Sequence, residues 1–110
     1  MELISDARLT VAARVHRDSK FRGALLAEAV NACLAGDMRT GKAVLRDLVN
    51  ATVGFKGLAA EVRTPSKSLR DMLVPRGNPS AKNFFDIVKA LQKKTCAQLQ
   101  VTTESSRKAD

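Results

Sequence analysis

The chain has 110 residues, 45% of them hydrophobic and 27% charged, a balance that fits one small globular domain and not a disordered polymer. Nineteen Lys and Arg stand against 11 Asp and Glu, for a formal net charge of +8. Two cysteines far apart in sequence (Cys33 and Cys96), one histidine and no Trp or Tyr leave no disulfide framework, no zinc spacing and little hydrolytic chemistry.

The pattern is helical nearly throughout. Asp6 or Ser5 can cap a first helix to about Val15. Asp18 or Ser19 can cap a second, in which Phe21, Leu25, Leu26, Ala29, Val30, Cys33 and Leu34 form one broad apolar stripe at helical spacing. Gly36 ends it and Asp37 can cap a third, running to about Thr52 with Val44, Leu45, Leu48 and Val49 inward and Gly54 as its stop. The elements then shorten. Phe55 to Val62 turns Leu58, Ala59 and Val62 to one face. Thr64 followed by Pro65 predicts a hydroxyl N-cap and proline at the first helical position of a helix to about Leu73, burying Leu69, Met72 and Leu73. Pro75, Gly77 and Pro79 mark a turn, after which Ser80 caps a helix to about Lys94 with Phe84, Ile87, Val88 and Leu91 inward. Ala97, Leu99 and Val101 alternate with Gln98, Gln100 and Thr102, which predicts one short strand near 98–102. A lone strand is unstable, so it needs a partner from a dimer or another protein. The expected organisation is an N-terminal helical extension over 1–36, a main domain over 37–101 and a flexible tail over 102–110.

No apolar run approaches the roughly 20 residues of a membrane span, and the opening MELISDARLT lacks a signal-peptide core. A cytoplasmic chain without membrane contact is expected. Charge is unevenly spread. Residues 54–94 carry Lys56, Arg63, Lys67, Arg70, Arg76, Lys82, Lys89, Lys93 and Lys94 against Glu61, Asp71 and Asp86, a net +6. A localised basic region suits a polyanion, because displaced counterions drive association; the plainer role for such a face is solubility.

Within that region, two short helices joined by a tight turn describe a helix-turn-helix, whose second helix enters the major groove of DNA. Ser66, Lys67, Ser68 and Arg70 occupy its outward face, where phosphates and base acceptors call for donors and cations. Lys56, Arg63, Arg76 and Lys82 flank it in turns and helix starts and are expected nearer phosphates. All four phenylalanines fall at core-like positions, so binding of single strands by base stacking is not expected. One helix-turn-helix makes few base contacts, so a homodimer is expected, pairing through Leu91, Leu99 and Val101.

LRDLVNATVGFKGLA (45–59), PSKSL (65–69) and RGNPS (76–80) resemble the Xre/Cro-type, lambda-repressor-like helix-turn-helix proteins. Among these the chain is most similar to the addiction-module antidotes, the HigA-like antitoxins, over roughly 38–101. The resemblance implies an all-α, lambda-repressor-like domain. It implies double-stranded operator DNA and a small RelE/ParE-like toxin as partners, autorepression of the operon and no cofactor. Two positions depart from the family pattern. Arg63 stands where many relatives place a turn glycine, and Phe55 where many place a phosphate-touching Gln, with Lys56 beside it to substitute. A stand-alone transcriptional regulator without a toxin is the alternative. A nuclease acting through His16 with Arg14 or Arg17 fails, because only Asp18 and Lys20 lie near enough on the same helix to assist, and acid–base catalysis needs two groups around one bond. No enzyme activity and no metal are expected.

Overall fold

Three of the described helices start where a short polar side chain takes up open amides. In the computed structural model, which describes residues 17–105, Asp18 accepts from the Lys20 and Phe21 amides (3.0 and 3.2 Å) and opens α1 (Ser19–Leu34). Asp37 accepts from the Thr40 amide at 3.1 Å and opens α2 (Met38–Ala51). Between them the chain reverses at Gly36, whose φ of 91 suits glycine. The Asp37 amide returns to Ala32 O and the Gly36 amide to Cys33 O, a Schellman closure that satisfies the last carbonyls of α1. The expected helix before Val15, His16 and the chain from 106 onward lie outside the described residues.

α2 ends at Ala51 with Thr52 as its C-cap, as expected. Gly54, with φ 74, does not stop α2 but opens α3 (Gly54–Val62). A three-residue turn, Arg63 to Pro65, leads to α4 (Ser66–Leu73). Here the expected cap is corrected. Pro65 itself holds the cap position with ψ 141, and the Thr64 hydroxyl donates backward to Val62 O at 3.3 Å. The extended ψ of Pro65 delays the helix by one residue. α5 (Ala81–Thr95) begins as expected, with Ser80 Oγ accepting from the Asn83 amide at 3.1 Å.

The described residues form five helices and no strand, an all-α arrangement. α1 and α2 make an antiparallel hairpin, and α3, α4 and α5 complete one core cluster holding Leu26, Leu45, Leu58, Leu69, Leu73 and Leu91. None of these helices is long and apolar enough to cross a membrane. Three expectations shift. Leu34, at the end of the α1 stripe, is 68% exposed because it stands where the hairpin turns away. Leu91 is wholly buried, so it has no surface with which to pair. Residues 97–105 carry no regular secondary structure, since a single chain offers that segment no strand to join; the Leu99 amide donates to Gln92 Oε1 at 2.8 Å instead.

Two glycines set distances between elements. A methyl on Gly41 would overlap Cys33 Sγ and crowd Ala29 O, so α2 meets α1 at a glycine. A methyl on Gly77 would overlap the carbonyl oxygens of Asp71 and Met72, because the loop after α4 folds back onto the last turn of that helix. Main-chain atoms cannot swing aside. Gly77→Ala is therefore expected to destabilise the domain by about 2–3 kcal/mol. Gly23→Ala meets only the Ala97 methyl at 3.3 Å and should be tolerated; urea unfolding of both variants checks the contrast.

Candidate nucleic-acid interface

α4 is amphipathic over only eight residues. Leu69 and Leu73 are buried, while Lys67 and Arg70 are exposed and Ser66 and Ser68 half-buried. The polar and basic side is therefore presented outward, as the spacing requires. Lys67 Nζ lies 3.1 Å from Asp71 Oδ2, one turn on, with both side chains well exposed. The Arg70 guanidinium sits 5.5 Å from the centroid of the Phe55 ring, a cation–π distance. Phe55 thus explains its own place at the start of α3: its buried ring is a platform that orients Arg70.

The flanking cations fall into two groups. Lys56, Arg63 and Arg76 are exposed and make no ion pair among the described residues. Lys82 is tied to Asp86 at 2.8 Å within α5. Such exposed i,i+4 pairs are weak and open readily to a stronger anion. Lys93 and Lys94 reach from α5 to Glu61 of α3, at 3.2 and 3.7 Å. Glu61, Arg63, Asp86, Lys89 and Lys93 line an open groove of about 420 Å³ between the end of α3 and α5. The groove carries both signs of charge. No cluster of His, Cys, Asp and Glu suited to a metal exists among the described residues.

The turn is held by an unusual backbone. Arg63 adopts φ 57, ψ 44, the left-handed region, which costs a residue with a Cβ roughly 1–2 kcal/mol. The Thr64 amide closes the turn onto Ala59 O at 3.2 Å. Neither α3 nor α4 has a side-chain cap, in contrast to α1, α2 and α5, so their first amides stay available to an acceptor.

Two residues that sequence reasoning missed fix the far end of α4. Lys42 is 5% exposed; its ammonium donates to Pro75 O at 3.0 Å and to Gly77 O. Arg46, one turn along α2, donates to Leu73 O at 3.0 Å. Together they take up carbonyls at and just beyond the end of α4, where cations also suit the helix dipole. Their only signal in the sequence is the i,i+4 spacing of two cations. Phe85 was also misplaced: it is 60% exposed at the start of α5, edge-on to Phe84 with ring centroids 5.3 Å apart. Phe84 takes the inward position, leaving its neighbour one helical step away toward solvent.

No family model, curated protein or solved structure matches the chain.

Two measurements test this geometry. Arg63→Gly relieves the left-handed strain but frees the unfolded chain, so a net gain of about 1 kcal/mol or less is expected on urea unfolding. Cys96→Gly, at the other left-handed position (φ 57), should show a gain of the same sign in the same assay. Glu61 is held below the usual carboxylate range, first by its hydrogen bond from Lys93 and the Lys93 charge, with burial opposing and Lys94 adding a little. Since its folded pKa is depressed, the α3–α5 tie is present above the unfolded pKa and lost as pH falls through the folded one. An NMR titration of the Glu61 carboxyl should show this, and Lys93→Ala should return it toward the ordinary value.

Proposed function

We propose that the chain is a DNA-binding antitoxin. On this reading it dimerises, docks α4 in the major groove of operator DNA, represses its own operon and neutralises a small RelE/ParE-like toxin. The α3–turn–α4 unit is then a lambda-repressor-like helix-turn-helix with α4 as its recognition helix. The observation that carries the DNA part is α4 itself. It lies one tight turn after α3, seats Leu69 and Leu73 in the core, and turns Ser66, Lys67 and Arg70 outward with Arg70 steered by Phe55. The toxin part is supported by the resemblance of residues 45–59, 65–69 and 76–80 alone.

Each side chain then has a task. Arg70 and Lys67 offer charged donors to base edges such as the O6 and N7 of guanine. Ser66 and Ser68 are short enough to let the helix approach and can donate or accept. Lys56, Arg63, Arg76 and Lys82 neutralise phosphates around the groove, which positions α4 but reads no sequence. The uncapped amides of α3 and α4 add donors to that ring of phosphate contacts.

Arg70→Ala is expected to cost about 1–3 kcal/mol per contacted base pair and to blur sequence preference there. Lys82→Ala should weaken all duplexes alike and lower the salt slope by roughly one charge. The assay is binding to the promoter DNA of the chain's own operon and to scrambled DNA at several salt concentrations. Equal losses on both DNAs for Arg70→Ala would mean that α4 is not the reading helix. Co-purification from the native operon tests the toxin: a small basic protein should come down with the chain, and its absence would leave a stand-alone regulator.

A further inference from the structure

The loop between α4 and α5 turns two of its carbonyls inward. Lys42, only 5% exposed, donates from its ammonium to Pro75 O at 3.0 Å and to Gly77 O. No peptide bond of the described residues is cis, and a planar trans peptide sends its C=O and its N–H in opposite directions. The Pro75 carbonyl shares its peptide with the Arg76 amide, and the Gly77 carbonyl shares its own with the Asn78 amide. Both amides therefore leave the loop on the side away from the ammonium. The amide between them behaves otherwise, since Gly77 donates back to Val74 O at 2.8 Å. Arg76 and Asn78 are exposed, and neither main-chain amide has a hydrogen-bond partner among the described residues.

Charge at this corner has one sign. Lys42 forms no ion pair among the described residues, and neither does the exposed Arg76 side chain. Arg46, one turn along α2, spends its guanidinium on Leu73 O at 3.0 Å. The carboxylate of Asp71, in the last turn of α4, is held by Lys67 at 3.1 Å.

We propose that Lys42, without touching the ligand, makes residues 75–78 a site for phosphate oxygens. The buried ammonium fixes the direction of two peptide dipoles, so their positive ends face solvent. The Arg76 guanidinium supplies a forked donor beside them. A phosphate approaching from outside does not face the Pro75 and Gly77 carbonyls, because Lys42 has drawn both inward. The carbonyls converge on one nitrogen, so the amides on the far side diverge. Diverging donors suit an anion whose oxygens are several atoms apart, a phosphodiester strand or a pyrophosphate, and offer chloride no common point. Lys42 is thus a positioning residue for anion binding as well as a support for the end of α4. With duplex DNA as the source of the phosphates, the inference rests on the reading under Proposed function; the site itself rests on the loop alone.

The experiment follows the backbone amides of the full chain by NMR during titration with pyrophosphate, against chloride at equal ionic strength. The Arg76 and Asn78 amides are expected to shift together and saturably with pyrophosphate and to stay still with chloride. Arg76→Ala, at an exposed position, should weaken that binding about threefold to tenfold while both amides still respond. Lys42→Met removes the ammonium at similar length. With helical circular dichroism retained, both responses should vanish, and binding to operator and scrambled duplexes should fall alike by roughly tenfold. If Lys42 only supported the fold, the folded variant would keep both responses, and that result would overturn the proposal. So would wild-type shifts scattered over the lysines with none at Arg76 and Asn78, a result that decides the matter even where Lys42→Met does not fold. Pyrophosphate binding at the two amides without duplex binding would remove the DNA reading and leave a site for a free phosphate anion. Duplex binding with both amides unmoved would overturn the site and leave the DNA reading standing.

Discussion

A lysine ammonium buried against main-chain carbonyls decides where α4 ends and how the chain leaves it. Lys42 donates to Pro75 O and Gly77 O, and Arg46 donates to Leu73 O. A helix of eight residues has few internal hydrogen bonds, so isolated it would be marginal. Here its Leu73 carbonyl is taken by Arg46 and the Pro75 and Gly77 carbonyls just beyond it by Lys42, and the returning loop lies so close that only glycine fits at position 77. Stripping water from an ammonium is costly unless donors are well used. That cost, met by carbonyls and not by a carboxylate, leaves the positive charge of α2 uncancelled beneath the loop that carries Arg76.

The opposite end of α4 is set by conformation. Arg63 accepts left-handed strain where glycine would be at ease, and Cys96 does the same after α5. The two sites differ in what they gain. At Cys96 the side chain is exposed and carries no charge. At Arg63 the strained residue carries an exposed guanidinium at the edge of the α3–α5 groove, beside the start of α4. A glycine would make the same turn without placing a charge there. On the DNA reading, the strain is the cost of a phosphate contact at that corner.

Much of the architecture was legible because caps and stripes are local. Asp18, Asp37 and Ser80 could be named as caps from composition and spacing, and each accepts the expected amides. Leu45, Leu48, Leu69 and Ile87 follow helical periodicity into the core. What failed depended on distance or competition. Thr64 could not be known to turn its hydroxyl back to Val62. Of the adjacent pair Phe84 and Phe85, only one can face inward, and periodicity alone did not choose. Lys42 carries no local signal of its role, since its partners lie 33 and 35 residues away. The outward set on α4 was legible as far as exposure. The Phe55 platform beneath Arg70 was not, because it joins two helices across the turn.

The basic stretch is less free than its net charge suggests, and that bears on how it would bind. Lys67 is matched by Asp71, Lys82 by Asp86, and Lys93 and Lys94 share Glu61. Lys56, Arg63, Arg70 and Arg76 have no carboxylate partner among the described residues. A phosphate meeting the second group releases counterions at full effect, whereas meeting Lys67 or Lys82 also leaves an aspartate facing the duplex. For an exposed pair the exchange costs little in position but subtracts from non-specific attraction. On the DNA reading, Asp71 and Asp86 would therefore act against indiscriminate binding, most strongly where Lys67 finds no base acceptor to offset the loss. Arg70 lacks that opposing carboxylate and is steered by an uncharged ring. On that reading, discrimination would rest on Arg70 for attraction and on Asp71 for rejection, two exposed residues adjacent in the sequence of α4.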